Sequence, residues 1–82
     1  MKMTQQIYHS PLICYEVTQE NDTFGIDVYF SEHKDSQKAE HHCVIKNFSN
    51  ISEKAHNFAR LLSENCALPV HVPELAEEFL SV

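Results

Sequence analysis

Eighty-two residues, 43% hydrophobic and 10% aromatic, are enough for one packed domain and place it near the length at which a single core only just outweighs chain entropy. Twelve Asp and Glu against six Lys and Arg leave a formal charge of −6, a field that repels phosphate backbones and anionic membrane surfaces. The carboxylates are dispersed rather than dense, so neither nucleic-acid binding nor imitation of its charge is expected.

The first residues, Met1 to Ser10, contain no apolar run able to act as a signal core, and no stretch approaches spanning length. A cytoplasmic protein is expected, with residues 1–11 read as a flexible lead-in to a single domain over 1–82. Leu12 to Gln19 and Phe24 to Ser31 alternate and are rich in β-branched and aromatic residues, which predicts two strands. Ile13, Tyr15 and Val17 form the inward set of the first, and Phe24, Ile26, Val28 and Phe30 that of the second. Glu20 to Thr23 supply the turn chemistry of a hairpin. The polar stretch 32–40 reads as an exposed loop, after which His41 to Phe48 alternate again as a third strand.

Asn50 or Ser52 can cap a helix in which Ile51, Ala55, Phe58, Ala59, Leu62 and Cys66 make one apolar stripe. Pro69 ends it. An extended link holding His71 leads to Pro73, which suits the first turn of a second helix through Leu80, with Leu75, Ala76, Phe79 and Leu80 apolar and Glu74, Glu77 and Glu78 solvated. The fold expected is α+β: a three-stranded antiparallel β-meander packed against one amphipathic helix, followed by a short C-terminal helix, in the order β-β-β-α-α. So short a final helix would melt alone, so it must dock.

Six histidines and three cysteines raise the question of a metal. His41 and Cys43 share one side of a strand and His71 could join them, but a closed site needs a fourth ligand and no second pair has ligand spacing. Cys14, Cys43 and Cys66 lack CxxC pairing and read as reduced, buried small hydrophobes. The lone glycine, Gly25, excludes a glycine-rich phosphate loop and marks a bulge or a close approach on the outer sheet face, where Tyr29 offers a contact. With so little chain to enclose a pocket, no catalytic residues and no cofactor are expected.

Tyr15-Glu16-Val17, Phe24-Gly25-Ile26-Asp27-Val28 and Pro69-Val70-His71-Val72-Pro73-Glu74-Leu75-Ala76-Glu77-Glu78-Phe79-Leu80 resemble a small clostridial and Firmicutes family classed as a domain of unknown function, DUF6514. Val72, Pro73 and Ala76 depart from its usual final segment. The resemblance implies a compact α+β domain and no catalytic residues, and it draws attention to His71 as the family's most recognisable polar position. The expected function is a non-catalytic protein-interaction or regulatory module, a homodimer being one form. Its partner would meet His71, Glu74, Leu75, Glu78, Phe79 and Tyr29. The other reading is a metal or small-ligand binder built on His41, Cys43 and His71.

Overall fold

The computed structural model describes residues 2–33 and 41–81. Four antiparallel strands, β1 (Lys2–His9), β2 (Ile13–Glu20), β3 (Thr23–Phe30) and β4 (His42–Ser49), form one sheet in sequential order. Two helices follow, α1 (Ser52–Glu64) and α2 (Val72–Leu80), with a 3₁₀ turn at Pro69–His71 between them. The α+β meander is as expected, with one strand more. Residues 34–40, most of the expected loop, lie outside the described residues, and Ser31–His33 before them form a 3₁₀ turn.

The additional strand is β1, in the segment expected to be a flexible lead-in. It pairs with β2 from Lys2↔Glu20 to His9↔Cys14 and carries an irregularity between Thr4 and Gln6. Nearly all of it is exposed, because it is an edge strand. Alternation signals a strand only where one face is buried, and here only Tyr8 packs against the core. The Tyr8 hydroxyl also lies 3.1 Å from Nδ1 of His56, tying the edge to α1.

The inward sets of β2 and β3 hold, but each strand is offset by one residue from its expected bounds, and Cys14, Thr18 and Tyr29 on the other face are buried too. Ile13, Tyr15 and Val17 lie opposite Phe30, Val28 and Ile26, and the core of this sheet face is closed by Ala55, Phe58, Ala59 and Leu62 of α1. Asn21 turns the hairpin with φ of 56°, a conformation that Asn tolerates better than most residues. Tyr15, wholly buried, donates its hydroxyl to the Ala67 carbonyl at 2.8 Å and so pins the exit of α1 to the sheet.

Gly25 is the close approach that the sequence suggested. A Cβ there would stand 2.7 Å from the Ile45 carbonyl oxygen and 3.2 Å from Oγ1 of Thr18. The β3–β4 register shifts at this point, between Phe24 and Ile26.

Both ends of α1 differ from expectation. Ile51, not Asn50 or Ser52, is the N-cap, with no side-chain cap; its amide instead donates to Oγ of Ser49 at 3.0 Å. Ile51 is consequently exposed rather than part of the stripe. At the other end Ala67 N–H donates to the Leu62 carbonyl and Cys66 N–H to that of Ser63, the paired bonds of a Schellman motif. That motif needs a left-handed residue, and with no glycine available Cys66 takes φ of 51° and points to solvent. Only Cys14 of the three cysteines is buried. Cys66→Gly is therefore expected to raise unfolding free energy by about 0.5–1 kcal/mol, measured by urea denaturation under reducing conditions, because the left-handed strain exceeds the extra chain entropy of glycine. An unchanged or lower value would remove that explanation of the cap.

The Pro69 to Pro73 link is a 3₁₀ turn running into α2, not an extended segment: His71 N–H donates to the Leu68 carbonyl at 3.0 Å, and the fixed φ of Pro69 suits a helical start. Val72 begins α2 and is wholly buried, while Pro73 sits within the first turn, where its missing donor costs nothing. Phe79 then docks α2. Its ring lies 5.0 Å from Phe58 and 5.9 Å from Phe48, and those two stack at 4.8 Å.

Candidate apolar groove between the helices

Helix α1 buries one stripe on the sheet, and Leu61 and Leu62 lie about 100° apart around its axis, so they cannot share that stripe equally. Leu62 goes inward at 2% exposure and Leu61 is left 46% exposed. Helix α2 is held alongside by Val72, Ala76 and Phe79, which leaves Leu75 only partly covered. Between the two helices lies a cavity of about 320 Å³ lined by Phe58, Leu61, Leu62, Leu75 and Phe79, with Ala67, Asn65 and Glu78. Its walls are five large hydrophobes and one carboxylate, a lining of predominantly apolar character.

Of the residues singled out in the sequence, Leu75, Glu78 and Phe79 line this groove. Glu74 and His71 are exposed at the start of α2 and outside the lining. The His71 ring makes no hydrogen bond among the described residues. Tyr29 is elsewhere. It lies on the sheet face away from the core, 5% exposed, and donates to Oε1 of Glu16 at 3.2 Å. Of the opposite wall, Leu61, Asn65 and Ala67 were not singled out, and Phe58 and Leu62 were assigned only to the stripe facing the sheet. The adjacent pair Leu61-Leu62 was the available signal, since Leu61 falls outside the stripe set by Ala55, Phe58, Ala59 and Leu62 and so has to find another neighbour.

The polar sheet face holds the other cluster of titratable groups. Lys2 donates to Oδ2 of Asp27 at 2.8 Å, Oγ1 of Thr4 donates to Glu16, and Sγ of Cys14 lies 3.5 Å from Nδ1 of His9. His42 sets its ring edge-on to Tyr29 at 5.7 Å. On the other side Cys43 packs against the core and His41 meets Phe30 edge-on at 6.1 Å. Among the described residues no three His, Cys, Asp or Glu side chains converge to hold a metal ion, so His41, Cys43 and His71 do not form one set.

Burial raises three acidic groups here. The Tyr15 hydroxyl is pushed up by desolvation, that of Tyr29 strongly so by desolvation and then by the Glu16 carboxylate, and the Cys43 thiol by desolvation and then by Asp27. All three are held neutral in the fold more firmly than in the unfolded chain. Their contribution to stability is intact below the unfolded values, about 8.5 for Cys and about 10 for Tyr, and is lost as pH climbs past them towards the folded values. Stability should therefore be insensitive to these groups at pH 7 and fall steeply above about pH 9, at up to about 1.4 kcal/mol per pH unit for each group titrating only in the unfolded chain. Urea midpoints across that range check this, and Tyr29→Phe should flatten the fall; an equally steep fall in the variant would contradict it.

A four-stranded antiparallel meander with both helices on one face and an apolar groove between them defines a small α+β domain. The chain belongs to the family of unknown function DUF6514, which it matches over residues 2–82. No curated protein and no solved structure matches it significantly. Among the described residues no helix is long and apolar enough to cross a membrane.

Proposed function

We propose that this domain is a non-catalytic protein-interaction module, acting in the cytoplasm, whose partner seats an apolar side chain between α1 and α2. The observation that carries this reading is the groove itself: about 320 Å³, walled by Leu61, Leu62, Leu75, Phe58 and Phe79. Its volume is at the lower end of the range for small-molecule pockets, about 300–1,000 Å³, and fits the anchor residue of a larger partner. Leu68 and Val70, 42% and 54% exposed in the connection between the helices, add apolar surface on the same part of the chain. The three free cysteines suit a reducing compartment.

A photo-crosslinking residue placed at Asn65, on the groove, and at Val44, opposite Asp27 on the outer sheet face, tests this in cells that make the protein. A discrete adduct is expected from position 65 and none from 44. Leu61→Asp should abolish the adduct while changing stability by less than about 1 kcal/mol, because Leu61 is already 46% exposed. Equal adducts from both positions, or an adduct indifferent to Leu61→Asp, would overturn the proposal.

A further inference from the structure

We infer that the occupant of the α1–α2 groove is a segment of another protein carrying an apolar anchor flanked by Lys or Arg, a reading that rests on the groove being the docking surface. Charge around the groove is one-sided. Glu78 lines it, and Glu74 lies one turn earlier on the same side of α2. Neither helix has a basic residue in its last turn to offset the negative end of its dipole. The cations of the two helices stand apart from it. Lys54 lies in the first turn of α1, and Arg60 donates to Oδ1 of Asn57 on a side that does not line the groove.

An apolar slot edged by carboxylates and a helix carboxyl end is complementary to a leucine or similar anchor with cationic neighbours. The anchor gains burial and the cations gain attraction and steering. A second copy of this chain fits worse. It too carries −6, so its approach to this acidic rim meets like charge.

The test uses the full chain, isotopically labelled for amide NMR, titrated with two amphipathic probe peptides of about 14 residues sharing one leucine pattern. One has Lys at every polar position, the other Glu. The Leu/Lys peptide is expected to shift the amides of Leu61, Asn65, Leu75, Glu78 and Phe79 and to bind at least about tenfold more tightly than the Leu/Glu peptide at about 0.05 M salt, the gap narrowing at about 0.5 M. Charge reversal by Glu74→Lys with Glu78→Lys, both exposed positions, should invert the preference. If both peptides shift the groove equally, or the Leu/Glu peptide prevails, the inferred partner charge is wrong while the groove stands. If neither shifts groove amides, or the Leu/Lys peptide shifts other surfaces only, the groove reading fails as well. Dimerisation detected by sedimentation, with the groove amides broadened in proportion to protein concentration, would replace the basic partner by a second copy.

Discussion

Phe58→Ala should lower the unfolding free energy by about 3–5 kcal/mol, a large fraction of the stability of a domain of this size. Phe58 is 1% exposed and stands at the meeting of three layers, stacked on Phe48 of the sheet side at 4.8 Å and tilted against Phe79 of α2 at 5.0 Å. Removing its ring opens a cavity that neither neighbour can fill without releasing the other. The loss should appear in urea denaturation as a lower midpoint with α2 amides losing protection first. Leu61→Ala, on the same helix but half exposed, is the comparison and should cost under about 1 kcal/mol. Similar losses from both would mean that α1 does not bury the face assigned to it.

Gly25→Ala should be destabilising by about 1–3 kcal/mol, although replacing glycine within a strand ordinarily helps. The sign follows from one contact. The new Cβ would meet the Ile45 carbonyl oxygen at 2.7 Å, and that oxygen belongs to the backbone of the paired strand, so relief requires β3 and β4 to separate where the register already shifts. Thr18 on the other side, 4% exposed, offers no room for retreat. Thermal melting of the variant decides the matter: a midpoint equal to or above that of the parent would contradict the close approach.

The parts legible in the sequence were those with a regularly spaced apolar face. Val17, Ile26 and Val28 alternate with polar neighbours and are wholly buried; Ala55, Phe58, Ala59 and Leu62 recur at helical spacing and meet them. β1 was not legible, because an edge strand with both faces largely wet has no reason to alternate, and the irregularity at Gln5 shifts its pattern midway. The cap of α1 was misread because hydroxyl and amide side chains at Asn50, Ser52 and Ser49 compete within four residues, and only geometry shows that Ser49 takes the Ile51 amide. Cys66 was expected inside, since composition shows a small hydrophobe there. The absence of a glycine makes it the left-handed residue of the helix end instead.

The groove was half visible. Leu75, Glu78 and Phe79 could be assigned to a docking helix from the sequence, but the periodicity of α1 identifies only the stripe it presents to the sheet, not the residue it leaves beside a second helix. Leu61 becomes meaningful only once Phe79 places α2 next to it. His71 shows the reverse case. Its place between two prolines singles it out, yet in the fold it is an exposed residue at the entry of α2 while its neighbour Val72 does the packing.

All of this depends on α2 being seated by Phe79 rather than leaving the surface, since without it the groove has one wall. Ring-to-ring nuclear Overhauser contacts in the full chain measure that directly. Strong contacts from Phe79 to both Phe58 and Phe48, with slowed amide exchange from Ala76 to Leu80, are the expected result. A Phe79 ring contacting neither, with amides of α2 exchanging as in an unstructured peptide, would contradict the account.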